Sequence, residues 1–272
     1  MIINRRFNIL KHWLLGRRQG VGFFELVRHL LAPISKYKAL PLIDQFKEED
    51  DYLVVFFKNL SRPLYLPKTF SLSQLYQVVS EIFLPADWHY YEIDKTKIQP
   101  DDIVVDCGAA EGLFSLSVLD RCKKIYAIEP LPKFVWSLEK TFSNSPSVEV
   151  VPVAIGAKAG RVYMTDSGIS SQISKTPTDI SVSLMTIDEL FVKQNKPMSY
   201  LKADLEGYEM DMLTGAKETI RLYRPKIAIT TYHKPEHAME IARFLKSIHS
   251  DYHILFKGIE NRAGFPVMLH AW

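Results

Sequence analysis

The sequence predicts an α/β protein: a mostly parallel sheet interleaved with helices, closed by an antiparallel hairpin and preceded by a basic helical appendage. Three observations carry that prediction. From residue 101 onward, short apolar runs alternate with segments of helical periodicity, the pattern of strands joined by crossover helices. The last two runs, 252–257 and 266–271, are joined by a loop instead of a helix, so they should pair antiparallel. Residues 1–40 carry eight Lys and Arg against the single acid Glu25, a net +7, which leaves −4 on the other 232 residues of a chain whose overall charge is +3.

Composition excludes several classes. At 272 residues, 47% hydrophobic and 24% charged, the chain has enough apolar surface to build a core, unlike a disordered segment. No apolar run reaches the ~18 residues that a membrane-spanning helix needs. Trp13-Leu14-Leu15-Gly16 falls short of the ~7–15-residue core of a secretory signal, and Arg17-Arg18 closes it, so a cytoplasmic location is expected. Cys107 and Cys122 stand 15 apart, matching neither a redox pair nor a zinc spacing, and should be reduced, buried thiols.

The elements follow in order. Ile3, Phe7, Leu10, Trp13 and Leu14 share one helical face, and Phe23, Val27, Leu30 and Leu31 share another before Pro33. Two uses compete for this arm: packing its apolar faces on the body, or peripheral contact of residues 1–40 with an anionic membrane. The arm lacks interleaved aromatics and matches no reader motif, so no nucleic-acid partner is expected. Residues 41–100 form a bridge, with strands at 52–57 and 63–66, a helix opened by a Ser71/Gln74 capping box, and an aromatic cluster at Trp88, Tyr90 and Tyr91. Strands are then expected at 103–107, 125–129, 148–153, 161–165, 182–186, 199–204 and 226–231. Helices are expected at 112–120, 132–142, 187–194, 208–221 and 235–249, with a Ser/Thr-rich flap at 166–181.

The chemistry concentrates at Ile103-Val-Val-Asp-Cys-Gly-Ala-Ala-Glu-Gly-Leu-Phe-Ser115. An apolar strand ends at Asp106, and a turn with Gly108 and Gly112 opens a helix whose free N–H groups and positive dipole end suit an anion. The four-residue glycine spacing is not the dinucleotide fingerprint. Glu129 ends the next strand, 23 residues after Asp106, where an acid accepts both hydroxyls of a ribose. A nucleoside cofactor with a separate anionic group is implied. S-adenosylmethionine fits, and a nicotinamide cofactor fits less well for want of a third glycine.

The runs VVDCGAAEGLFS, YAIEP, VPVAIG, YLKADLEGYEMDMLTGA and IAITTYH, spread over about residues 80–271, resemble the FkbM family of S-adenosylmethionine-dependent methyltransferases. The resemblance implies the class I methyltransferase (Rossmann-like) fold, a seven-stranded sheet of order 3-2-1-4-5-7-6, over residues 81–272, with residues 1–80 as arm and bridge. It implies methyl transfer to a hydroxyl of a sugar, glycan or polyketide-type metabolite, and polysaccharide biosynthesis as a setting. Asp106, Gly108, Ala109, Glu111 and Gly112 are then expected at the methionine end of the cofactor, Glu129 and Pro130 at the ribose, and Ala154 and Ile155 beside the adenine. Two departures stand out. Glu111 occupies a position where the family usually has Asn, and Thr230-Thr231 precedes Tyr232-His233 where an acid is more usual.

Strand-end logic places Asp204, Glu206 and His233 at neighbouring strand tips facing the crevice. Methyl transfer from a sulfonium needs alignment and removal of the acceptor proton. His233 is the first candidate base and Asp204 the second, with Asp204 also beside the cofactor. Glu206 is expected to tether backbone N–H groups or orient substrate hydroxyls. Carboxylates in the crevice would admit Mg²⁺, but no ligand spacing is visible and no metal is predicted. A nicotinamide-dependent oxidoreductase or a non-catalytic cofactor-binding module are the alternatives.

Overall fold

The computed structural model describes residues 2–272, so the first residue of the arm lies outside the described part. The arm folds as α1 (Ile2–Leu14), α2 (Phe23–Leu31) and the short α3 (Ser35–Ala39). The bridge begins with β1 (Ile43–Glu49), β2 (Tyr52–Phe57) and β3 (Leu64–Pro67), an antiparallel sheet in that order. β1 is an addition to the sequence reading. It is an edge strand whose Asp44, Gln45, Phe46, Lys47 and Glu48 are all exposed, so it shows no apolar alternation. α4 (Leu72–Phe83) opens with the expected capping box: Ser71 Oγ accepts the Gln74 N–H at 3.1 Å, and the Gln74 side chain returns to the Ser71 N–H.

The body continues with β4 (Ile103–Cys107), α5 (Leu113–Val118), β5 (Lys124–Ile128), α6 (Pro132–Thr141) and β6 (Val148–Val151). Next come β7 (Ala154–Ile155), β8 (Gly160–Met164), β9 (Ile173–Ser174) and β10 (Ile180–Met185). These four make a second sheet of order β7-β10-β8-β9, so the flap contains a short strand. The remainder is α7 (Ile187–Leu190), β11 (Tyr200–Ala203), α8 (Glu209–Thr214), α9 (Lys217–Tyr223), β12 (Lys226–Thr230), α10 (His237–Ile248), β13 (Ile254–Ile259) and β14 (Pro266–Ala271).

The main sheet has seven strands in the order β6-β5-β4-β11-β12-β14-β13. Numbered along the chain, that is 3-2-1-4-5-7-6. All neighbours are parallel except β14, which runs antiparallel to both β12 and β13. Apolar side chains cover both faces. One core holds Val104, Leu113, Phe134 and Tyr200, and the other holds Val105, Leu201, Ile227 and Leu245. The first core also takes in Leu64, Leu66, Leu75 and Val79. The bridge and the α/β body therefore share a core, and residue 80 falls inside α4.

At the centre of the sheet, Lys202 on β11 and Asp106 on β4 are register partners. Lys202 Nζ lies 2.9 Å from Asp106 Oδ1, with both side chains at most 5% exposed. Ser115 Oγ of α5 donates to Asp106 Oδ2 at 2.7 Å, and Lys202 Nζ donates to the Gly108 carbonyl at 2.7 Å. Burial alone would push the Lys202 ammonium down, but the charges of Asp106 and Asp204 outweigh it and hold it above its ordinary value.

Removing one partner from a buried ion pair strands the other. Asp106→Ala is expected to lower unfolding free energy by about 3–5 kcal/mol in a denaturant titration. The double substitution Asp106→Leu/Lys202→Met should recover most of that loss. A cost for Asp106→Ala below about 1 kcal/mol would show that the pair is not structural.

Candidate functional site

The site lies at the carboxyl ends of β4, β5, β11 and β12. The turn after β4 has left-handed backbone at Gly108 (φ +74°) and Ala110 (φ +44°). Gly108 is required there, because a Cβ would collide with the Asp204 carbonyl oxygen. The N–H groups of Gly108 and Ala109 both donate to the Ile128 carbonyl at 3.0 Å. The Ala110 N–H donates to Glu129 Oε2 at 3.0 Å. The turn therefore uses these N–H groups to tie β4 to β5.

Glu129 is buried at the tip of β5. Its second oxygen accepts the Leu131 N–H at 2.9 Å. Burial, partly offset by these two N–H donors, pushes its carboxyl up to about 7. Each oxygen keeps a lone pair, and the group borders an inner cavity of about 160 Å³. Gly108, Ala109, Glu111, Pro130, Lys202, Asp204 and Glu206 border the same cavity. Glu111 is also buried and is pushed up to about 7 by that burial.

Four expected cofactor residues stand outside the inner cavity's lining. Asp106 sits beneath the turn, ion-paired to Lys202. Gly112 faces Leu138 of α6. Ala154 and Ile155 form β7, pair with β10 and pack in the two cores. Gly112 opens α5 as expected, and Ala154 and Ile155 follow β6.

An outer cavity of about 620 Å³ adjoins the inner one. His89, Ser170, Glu206 and Tyr232 border both. Asp204 belongs to the inner lining and His233 to the outer, and His233 Nε2 lies 3.8 Å from Asp204 Oδ1 and 3.4 Å from Glu206 Oε2. The flap contributes Gly168–Ser171 to the inner cavity, and the arm contributes Arg5, Ile9 and His29 to the outer.

Hydrogen bonds fix this junction. Asp204 Oδ2 accepts the Tyr91 hydroxyl at 3.0 Å and Oδ1 accepts the Thr230 hydroxyl at 3.0 Å. Burial alone would raise the Asp204 carboxyl; the fields of His89, His233 and Lys202 overcome it and hold the group below its ordinary value. Glu209, fully buried at the start of α8, accepts the Leu205 N–H at 3.0 Å and the Gly207 N–H at 3.3 Å, and faces His233 Nδ1 at 3.0 Å. The tethering role expected of Glu206 thus belongs to Glu209, which also supplies the acid beside His233 that Thr230-Thr231 lacks. Glu206 instead faces the cavities, on backbone at φ +51°.

Burial would lower the His233 imidazole, but Glu209, Asp204 and Glu206 outweigh it and raise it to about 9. These carboxylates demand a positive charge at the imidazole. The imidazolium supplies it, and a divalent ion seated among them would supply it instead. Asp204, Glu206 and His233 offer one ligand atom each, all within 4.8 Å of one another, a nitrogen and two oxygens that can hold Mg²⁺ or Mn²⁺. The sequence placed these three residues at neighbouring strand tips, but their spacing along the chain matches no metal-ligand pattern and no metal was predicted. Sequence reasoning missed His89, Tyr232 and Glu209 as site residues, and of its aromatic cluster Tyr91 borders the inner cavity. His237 is buried as well, 3.5 Å from Glu209.

Comparisons with known proteins agree with this architecture. A probable dimethyladenosine transferase of Dictyostelium discoideum is 30% identical over 64 residues, 24% of this chain and 20% of that protein. A dimethyladenosine transferase of Yarrowia lipolytica is 25% identical over 155 residues, 56% of this chain and 46% of that protein. The chain thus spans less than half the length of these curated relatives. The solved structure of methyltransferase FkbM from Methylobacillus flagellatus KT matches with a TM-score of 0.52 and 21% identity, covering 76% of this chain and 56% of that one, which shows the shared fold. The family model described as the methyltransferase FkbM domain matches residues 106–254, more than half of the sequence, so the chain belongs to the FkbM methyltransferase family.

Proposed function

We propose that the chain is an S-adenosylmethionine-dependent O-methyltransferase acting on a hydroxyl of a sugar, glycan or polyketide-type metabolite. The observation that carries the cofactor is Glu129, a buried carboxylate held on one side by two backbone N–H groups and open to the inner cavity on the other. That is the acceptor pair which two vicinal ribose hydroxyls need. Lys202 borders the same cavity and engages Asp106 and the Gly108 carbonyl, leaving one N–H of its three as counter-charge for a carboxylate.

When bound, the cofactor supplies a methyl group on a sulfonium, a leaving group that is already activated. The chain's own residues then have two tasks. The outer cavity orients the acceptor through Glu206, His89 and Tyr232, which border both spaces. Asp204 accepts the proton of the attacking hydroxyl, since it is ionised and stands between the cavities. His233, charged at neutral pH, is a poor base there; it holds the Asp204 and Glu206 carboxylates in place. This shifts the base role from the residue first expected to the second.

Calorimetry with S-adenosylmethionine, S-adenosylhomocysteine and NAD tests the cofactor; binding of NAD alone would overturn the reading. Glu129→Ala should weaken binding by about 1–3 kcal/mol, the loss of charge-assisted hydrogen bonds. Ribose hydroxyls bind the ionised carboxylate, and the free group titrates at about 7. Wild-type affinity should therefore be full above that value and fall by up to about tenfold per pH unit below it. The Glu129→Ala variant should flatten that slope to at most the share of Glu111, and a slope equal to that of the wild type would remove Glu129 from the site.

For the transfer step, an acceptor library read by mass spectrometry supplies the assay. Asp204→Asn is expected to cut turnover by about 10²-fold or more, with cofactor affinity changed by less than about threefold. Near-wild-type turnover in that variant would assign proton removal to water.

A further inference from the structure

We propose that α1 and α2 together form a docking face for an anionic lipid bilayer. The arm has two apolar faces, and the body covers one of them. Ile9, Val21 and Leu26 pack with Trp88 and Ile259 in a small core of their own. Trp88 also stacks on His29 at 3.7 Å and donates its indole N–H to Glu25 at 2.8 Å. This packing fixes the two helices to the body and engages the arm's single acid.

The second face is left open. Ile3, Phe7 and Leu14 recur along α1, and Phe24 and Leu31 along α2, with Ile3 81%, Phe24 85% and Leu31 78% exposed. Phe23 bridges the helices, its ring 6.1 Å from Trp13 and 5.7 Å from Phe24. Lys11, Arg17, Arg18 and Arg28 are exposed on the same two helices or the turn between them. Large protruding apolar side chains beside a dense positive charge are what an interfacial helix presents to acyl chains and anionic headgroups. No described helix is long and apolar enough to cross a membrane, so the contact lies in the interface.

Charge decides among occupants. A second copy seated on this face would bring two arms of net +7 together, whereas an anionic bilayer neutralises each one. The same helices wall the outer cavity through Arg5, Ile9 and His29, so docking and the acceptor space share one structural element.

Flotation of the full chain with phosphatidylcholine vesicles, with and without phosphatidylglycerol, tests the proposal. Binding is expected only with the anionic lipid and should weaken several-fold when salt is raised to about 0.5 M. Phe7→Ser/Phe24→Ser should lower it by at least about tenfold, and so should Lys11→Glu/Arg18→Glu. Both variants should keep the wild-type melting temperature and cofactor affinity, because these side chains are exposed. Absence of binding to anionic vesicles at low salt overturns the proposal, as does wild-type binding by either variant. A concentration-dependent dimer in sedimentation, dispersed by Phe24→Ser, would assign the face to a second copy and overturn it too.

Discussion

The ion pair between Asp106 and Lys202 is the interaction on which the site's geometry rests. It joins the two central strands at matching register, and the same ammonium holds the carbonyl of Gly108. One contact thereby sets three positions: the end of β4, the turn that follows it, and the segment of β11 that delivers Asp204 two residues later. Ser115 ties the first turn of α5 to the same carboxylate. A buried charge pair is a weak source of net stability, since desolvating both ions offsets their attraction. Its value here is positional. An apolar pair could fill the volume but could not hold a carbonyl oxygen in place.

The carboxylates around that pair are arranged at some expense to the fold. Glu111 and Glu129 are both pushed up to about 7 by burial, so their ionised forms are disfavoured in the free protein. The two backbone N–H groups that Glu129 accepts offset its burial only in part. Asp204 behaves oppositely because cationic neighbours surround it. One crevice thus separates carboxyl groups by environment: Glu111 and Glu129 pushed up by burial, and Asp204 held low by its cationic neighbours.

Much of this was legible in the sequence. Apolar runs and the glycine turns after them placed the strands and the antiparallel hairpin, and the resemblance to the FkbM family implied that seven of them form one sheet. The rest depended on contacts between distant segments. The expected helix at 208–221 is two helices, α8 and α9, because at Gly215 the backbone passes so near Gly156 that a Cβ would collide with its carbonyl. Asp188 then caps α9 from 30 residues away, accepting the N–H groups of Glu218 and Thr219. The apolar periodicity runs through that point, and Gly215 itself is the local hint of the break. Glu209 was hidden for a related reason. It is one acid among several in its segment, and only the fold turns it inward to meet His233.

The arm shows how an amphipathic pattern can be read correctly and still be incomplete. Six of the nine residues of α2 are large and apolar, a wider arc than one neighbouring surface can cover. A sequence pattern states that an apolar face exists but not how many partners it meets. Packing and membrane contact looked like alternatives when each helix was credited with one stripe. With Leu26 buried and Phe24 exposed on the same helix, packing and surface contact are compatible uses of one arm. The modest net charge of the whole chain is the sum of two surfaces with opposite requirements: a basic one facing outward and an acidic crevice built around a cationic cofactor.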